Sequence, residues 1–316
     1  MTSRRDERPT FTVFTPTYNR ADVLDRPHRS LLAQTFADFE WLVIDNASTD
    51  ATSTLVEDWR ASAPFEVTFL RNSENVGFAR SWNRAVRAAH GELFVYLRSA
   101  DELLPDTLER LAAHWDAIPA GRRREFTGVT GLVVDEHRTL IGRPFPRDIL
   151  DSDAREIFYR YRMRSETFGF NRTDVLRDHL MPEIDGYTGY VPQSMLWRQI
   201  ARSYRMRYVN EVFRVYWQDR TDTMGRPTDP AAVAPGHVVR SRETLNHDLE
   251  WMRYDPVDVY RDAIAFVISS RRLGHGLPRQ VASLERPAAR ALWLAAVPAA
   301  YAHAALRRTQ RGLGLR

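Results

Sequence analysis

A few polar residues stand where apolar runs stop, and their types can hold a ligand. Asp45 ends the run Glu40 to Asp45, where its carboxylate can accept a hydrogen bond from a ring N–H. Thr15 and Tyr18 close the first apolar run and offer a hydroxyl and an aromatic face. Arg80 carries a planar fork of donors that matches the oxygens of a diphosphate. An acceptor, a stacking ring and an anion-binding fork are what a nucleotide needs for its base, ribose and phosphates. Further on, Arg98, Asp101 and Glu102 stand close together, and Glu166, Glu183 and Asp185 are carboxylates able to take a proton from a hydroxyl.

The elements that must position these residues can be read from the pattern. Phe11 to Thr15 and Glu40 to Asp45 read as buried strands, as do Phe65 to Arg71 and Glu92 to Leu97. Helical stretches follow each: Ala21 to Gln34, Ser48 or Thr49 to about Ala61, Asn75 to His90, and Pro105 to Trp115 with proline in its favoured first turn. Four strand–helix alternations predict an α/β fold with a doubly wound, mostly parallel sheet. Right-handed crossovers bring all strand C-termini to one edge, where ligands bind. That edge collects Thr15 to Asn19, Asp45 to Ser48, Arg71 to Gly77 and Arg98 to Glu102.

After residue 120 the pattern changes. Gly128 to Asp135 with Thr139 to Ile141 reads as a hairpin, Asp151 to Arg162 as a helix, and Phe168 to Phe170 as a strand entering a helix, Thr173 to His179. Pro192 to Tyr204 reads as helical and Met206 to Trp217 as a strand. Thr221 to Pro235 reads as a loop. Pro235 to Arg272 reads as two helices broken at Asp255-Pro256, and Ala288 to Leu306 as an Ala-, Leu- and Trp-rich helix.

Composition narrows the chemistry. The 316 residues include no cysteine, which excludes disulfides, thiolate zinc sites and a catalytic thiol. All 45 basic residues are arginine, which fits a high-GC codon bias and excludes a Schiff-base or P-loop lysine. No Gly-x-Gly-x-x-Gly follows the first strand, no nucleophile elbow is present, and the histidines lack zinc-ligand spacing. Arginine-rich stretches at Arg122 to Arg124, Tyr159 to Arg164 and Arg198 to Arg207 read as solvated surface rather than a nucleic-acid site. Met1 to Pro9 lacks the apolar core of a signal peptide, so a cytoplasmic location is expected.

Three segments in order resemble family 2 glycosyltransferases. Thr15-Pro16-Thr17-Tyr18-Asn19-Arg20 is similar to that family's Pro-x-Tyr-Asn segment. Ile44-Asp45-Asn46-Ala47-Ser48-Thr49-Asp50 is similar to its Asp-Asp-Gly-Ser-x-Asp, and Asn72 to Gly77 with Arg80 and Asn83 to its Asn-x-Gly turn and helix. Ser165 to Arg177 looks like the acceptor-side strand and helix of a bacterial subgroup. Tyr190-Val191-Pro192-Gln193 with Leu196-Trp197 resembles the helix that carries the base, and Tyr208 to Glu211 the closing strand. The resemblance implies a GT-A domain over 10–218, with a nucleotide-binding half at 10–120, an acceptor half at 121–218, and a helical extension at 219–316. It also implies a UDP-, dTDP- or GDP-sugar donor, held by Thr15, Tyr18, Asp45, Arg80, Arg98 and Asp101. The acceptor is expected to be a small natural product or a cell-surface glycan.

Two positions depart from that pattern. The family's Asp-x-Asp motif binds Mg²⁺ or Mn²⁺ across the diphosphate, but here the segment reads Leu97-Arg98-Ser99-Ala100-Asp101-Glu102. In one reading Arg98 replaces the metal, as basic residues do in metal-independent GT-A enzymes; in the other, Asp101 and Glu102 keep a weak metal site. An Arg beside the ion would repel it by ~4 kcal/mol at 4 Å with an effective dielectric of 20, which favours the first. Gln193 stands where the family's base is expected, and an amide cannot accept the proton. Asp185 is then the first choice of base and Glu166 the second. Losing both groups also raises a different class of function: a GT-A fold reused for other chemistry, or a silent nucleotide-binding partner.

The tail, from Ala288, allows peripheral membrane contact or self-association as an amphipathic helix; packing on its own domain is the expected alternative.

Overall fold

Strand β1 (Phe11–Thr17) is buried along nearly its whole length. Helix α1 (Asp25–Leu32) returns the chain, and β2 (Phe39–Asp45) pairs with β1 in parallel, Asp45 opposite Thr17. Helix α2 (Thr52–Ser62), strand β3 (Glu66–Arg71), helix α3 (Phe78–Ala88) and strand β4 (Leu93–Tyr96) repeat the unit. The order is β3-β2-β1-β4, all parallel. Thr17, Asp45, Arg71 and Tyr96 therefore end on one edge, as the alternation predicts. The structure is a computed structural model that describes residues 8–218 and 231–312.

The sheet then continues in mixed sense. Strand β5 (Glu102–Leu103) and helix α4 (Thr107–Asp116) precede β6 (Phe126–Asp135), β7 (Ile149–Ser152) and β8 (Phe168–Arg172). Helices α5 (Thr173–Asp178) and α6 (Ser194–Ile200) lead to β9 (Arg205–Tyr216). Strand β8 is antiparallel to both β4 and β6, β9 is parallel to β6, and β5 and β7 pair antiparallel with β9. Phe170 joins the two halves of the core: fully buried, it meets Phe11 at 5.6 Å and Trp115 at 5.7 Å, both edge-on.

Three local expectations are corrected. Asp151 to Arg162 is helical only over residues 154–160. Ile149–Ser152 is a strand on β9, and a single π-helical turn, Glu156–Arg160, follows it. The cause is non-local: Arg207 on β9 grips Asp151 with two hydrogen bonds of 2.8 and 2.9 Å. The hairpin at Gly128 to Ile141 reduces to one bridge, Val134 to Leu140, because β6 spends its edges on β8 and β9. Arg198 and Arg207 are buried, so the stretch Arg198 to Arg207 is solvated surface only in part, its exposed arginine being Arg205.

A second compact unit combines Phe158–Arg162, Ile184–Met195 and Asp222–Arg316. Its described helices are α7 (Ala234–His247), α8 (Pro256–Arg272), α9 (Leu277–Ala282) and α10 (Pro287–Gly312). Asp255 caps α8 by accepting from the Asp258 N–H at 3.2 Å, and Pro256 starts it, which explains the break expected there. The boundary differs from a single cut at residue 219. Segment 184–195 goes with the helices because the Tyr187 hydroxyl donates to the Ala232 carbonyl at 3.0 Å. Gly236 also lies so near Tyr190 that a Cβ there would come within 2.2 Å of its carbonyl oxygen. Most of the loop expected at Thr221 to Pro235 lies outside the described residues.

On α1, His28 is buried and stacked on Trp59 at 4.2 Å and near Trp41 at 5.7 Å. Burial holds its pKa below the ordinary 6.5, with Asp25 partly opposing. Below pH 6.5 the unfolded chain therefore takes a proton that the folded chain refuses. The His28 contribution to stability is whole above that pH and declines as pH falls towards the folded pKa. In urea melts followed from neutral to mildly acidic pH, His28→Phe should flatten this part of the acid-side loss. An unchanged slope would show that the imidazole is not buried in its neutral form.

Candidate functional site

The strand-end edge of the first unit is laced together by side chains from the three sequence motifs. The Asn19 N–H donates to Ser48 Oγ at 2.8 Å, and the Thr49 N–H to Asn19 Oδ1 at 2.8 Å. Arg20 N–H reaches Thr52 Oγ1 at 2.9 Å. Asn46 Oδ1 then accepts from Asn72 Nδ2 at 2.7 Å and Ser81 Oγ at 3.0 Å. Tyr18 stands out from this lattice with a half-exposed ring. Asp45 is fully buried and already engaged: Ser48 donates to it from backbone and hydroxyl, Ser53 Oγ from 3.0 Å, and Arg71 Nε lies 3.3 Å away. Arg71 also donates to the Ser48 carbonyl at 2.7 Å while half its side chain stays in solvent.

Beyond the end of β4 lies a charge network. Asp101 is fully buried. Its Oδ2 is 3.4 Å from Arg214 Nη1 and 4.0 Å from Arg98 Nε, and its Oδ1 accepts from the Trp217 N–H at 3.3 Å. Arg214 is buried and donates onward to Glu166 Oε2 at 3.1 Å. Arg98 lies 4.4 Å over the Tyr216 ring and is a quarter exposed. Burial raises the Asp101 carboxyl above the usual carboxylate range, against the pull of Arg214 and Arg98. Burial opposes the charge on Arg98, yet Asp101, Tyr96 and Tyr216 together raise its pKa. The guanidinium stays charged.

These residues do not suit a divalent cation. Such an ion needs several free oxygen ligands and an excess of negative charge. Here two guanidiniums balance the two carboxylates: Asp101 Oδ1 accepts from the Trp217 N–H, and Oδ2, which has no hydrogen bond, has both guanidinium charges within 4.0 Å. Glu102, on β5 opposite Val215, is the remaining acid of the segment. Among the described residues, the group with metal-ligand spacing is Glu40, Glu66 and His90, at the N-terminal ends of β2 and β3 and away from this edge. Glu40 there is occupied by Thr12 and by the His90 N–H at 2.7 Å.

Comparison with known proteins gives the family. The model of "Glycosyl transferase family 2" matches residues 12–180, more than half of the chain. The chain belongs to glycosyl transferase family 2. Abequosyltransferase RfbV of Salmonella typhimurium is 35% identical over 104 residues, 32% of this chain and 31% of that protein. The chain thus spans about a third of that relative. The GalNAc(5)-diNAcBac-PP-undecaprenol beta-1,3-glucosyltransferase of Campylobacter jejuni is 24% identical over 235 residues, 73% of this chain and 72% of that protein. The structure of S. aureus TarS 1-349 in complex with UDP-GlcNAc superposes with a TM-score of 0.56 at 20% identity, covering 91% of this chain and 79% of that one. That likeness shows the fold, a GT-A fold with added C-terminal helices.

Within this family 2 chain the expected residues divide. Tyr18, Asp45, Arg98, Asp101 and Glu102 come to the strand-end edge, and Glu166 joins them through Arg214. Thr15 is corrected: it is fully buried, and its hydroxyl accepts from Trp41 Nε1 at 3.0 Å, on the core side of β1. Arg80, expected to face the diphosphate, has its Nε 3.5 Å from Glu183 and is about a third exposed. Asn83 holds the same carboxylate at 2.8 Å. Asp185 and Gln193 lie in the second unit. Sequence reading missed Arg214 and the pairing of Arg71 with Asp45. An arginine inside the apolar run Val212 to Trp217 was the available signal, because a lone charge in a buried strand needs a partner.

Breaking a buried pair leaves an uncompensated charge. Arg214→Met should lower unfolding free energy by about 3–5 kcal/mol in urea melts. Arg98→Met, at the more exposed end, should cost clearly less. Equal losses would show that Asp101 does not depend on Arg214.

Proposed function

We propose that this chain transfers a sugar from a nucleotide-sugar donor to an acceptor hydroxyl with inversion, using guanidinium charge at the place where an Asp-x-Asp motif would hold a metal. The observation that carries this reading is Arg98. It is a part-exposed guanidinium at the strand-end edge, clamped by Asp101 and Tyr216. There it can face the diphosphate and stabilise the charge that builds on the leaving nucleoside diphosphate. Tyr18 offers its ring to the base, and Arg71 with Asp45 supplies the polar groups beside it. A UDP-, dTDP- or GDP-sugar fits these groups. The sugar nucleotide named in the TarS structure and the transferases named among the relatives support this donor class. They give no support to a repurposed or silent fold.

The reaction is a single displacement. The acceptor oxygen bonds to the anomeric carbon as the bond to the diphosphate oxygen breaks, which inverts the centre. Glu166 takes the acceptor proton. It is half exposed, and its anchor, Arg214, also holds Asp101. It is preferred to Asp185 because it belongs to the same unit as the donor edge. The acceptor is a glycan, a lipid-linked sugar or a small natural product.

A thermal-shift series with UDP, dTDP, GDP and CMP should give stabilisation by one nucleotide diphosphate, little changed by EDTA. Turnover of the matching sugar nucleotide should also survive EDTA. Loss of turnover in EDTA with recovery in Mn²⁺ overturns the metal-free reading, and no shift with any nucleotide overturns the donor site. Arg98→Ala should reduce kcat by about 100- to 1,000-fold. Glu166→Gln should reduce kcat by about 100- to 10,000-fold while nucleotide affinity holds. A Glu166→Gln enzyme with full kcat would return the role of base to another carboxylate.

A further inference from the structure

From Ala291 to Ala302, helix α10 contains no charged or strongly polar side chain. One face packs: Ala289, Trp293, Ala296 and Ala300 are buried in the core of the second unit. Tyr260 donates to the Ala295 carbonyl at 3.1 Å, and Arg271 lies 3.7 Å over the Tyr301 ring, which ties the helix to α8. The other face is exposed. It carries Leu294 (65% exposed), Tyr301 (42%) and, further on, Leu306 (64%), with Ala291, Ala295, Pro298 and Ala302 between them. A helix that is apolar all round is normally covered all round. Of nine exposed large hydrophobics among the described residues, three, Leu294, Tyr301 and Leu306, lie on this one helix.

Charge decides what covers the face. The sequence from Pro287 to Arg316 holds five arginines, Arg290, Arg307, Arg308, Arg311 and Arg316, and no carboxylate. A second copy of the same segment would bring like charges together. No described helix is long and apolar enough to cross a membrane. An apolar face on a helix whose sequence is basic and acid-free matches the surface of a bilayer with anionic headgroups.

We propose that the exposed face of α10 docks this protein on an anionic lipid surface, lying in the interface rather than spanning it. This does not depend on the donor-site reading. In sedimentation with phosphatidylcholine vesicles, the full chain should bind at least several-fold better when phosphatidylglycerol is present. High salt should weaken that binding. Leu294→Glu and Leu306→Glu should each weaken partition roughly tenfold, since each removes an inserting apolar side chain. Both sites are solvent-exposed, so melting temperature and the nucleotide-induced shift should stay as in the unaltered chain. Failure to bind phosphatidylglycerol vesicles at low salt overturns the proposal, as does binding that neither substitution weakens. A dimer in light scattering that Leu294→Glu dissolves, without vesicle binding, would assign the face to a second copy instead.

Discussion

The functional edge depends on one buried carboxylate and the cations that balance it. Asp101 has no access to water, so its charge must be met by the protein. Its closest cation, Arg214, at 3.4 Å, gives a gross attraction of about 5 kcal/mol at an effective dielectric of 20. Desolvation of both groups consumes much of that, so the pair is better understood as a geometric constraint than as a source of stability. The constraint reaches in three directions. It orients Arg98 towards the edge, carries Glu166 through the second nitrogen of Arg214, and holds the end of β9 through the Trp217 N–H, 116 positions away in sequence. Strand β5, two residues long, extends this by pairing Glu102 with Val215 and Leu103 with Arg214. The far strand of the sheet and the end of β4 are thereby made one structure.

On the other side of β1 the edge is held by hydrogen bonds between neutral groups together with the Asp45–Arg71 ion pair. Asn46 gathers Asn72 and Ser81, while Asn19 and Ser48 close on each other. Ala47 adopts φ 64°, the left-handed region where the family's pattern has glycine, and an alanine there costs roughly 1–2 kcal/mol. The Asp45 bonds to Ser48 supply what keeps the turn in that conformation. Asp45 is therefore a turn-holding group that also fixes the position of Arg71. One side of the edge is fixed mostly by neutral hydrogen bonds around one ion pair, and the other by a chain of full charges. This division suits a ligand with a neutral ring at one end and a diphosphate at the other.

Much of the parallel half was legible in the sequence because its determinants are local. Apolar runs of four to seven residues alternate with helix-compatible segments, and each turn carries its own polar residues. What escaped was non-local. Asp151 reads as the start of a helix until Arg207 takes it into a strand. Segment 184–195 reads as part of the first unit until Tyr187 and Gly236 tie it to the C-terminal helices. Thr15 reads as a strand-end residue, but β1 runs two residues further, to Thr17, and its hydroxyl belongs to Trp41. Arg80 and Glu183 are about a hundred positions apart, so no window of sequence could show that each occupies the other. Resemblance located the edge, but it could not say which of its side chains were already engaged.

The absence of lysine gives the charge network a particular character. A buried lysine can relieve its burial by giving up its proton, and its pKa falls when it does so. A guanidinium does not, and Asp101, Tyr96 and Tyr216 raise the Arg98 pKa further against its burial, so that side chain keeps its charge. A divalent cation can be exchanged, competed for or removed, whereas these charges are covalently fixed, and Asp101 sets the direction in which they point. A cation fixed on the chain demands a permanent counter-charge. Asp101 and Glu166 are that counter-charge: the first meets both guanidiniums within 4.0 Å, and the second accepts from Arg214 at 3.1 Å.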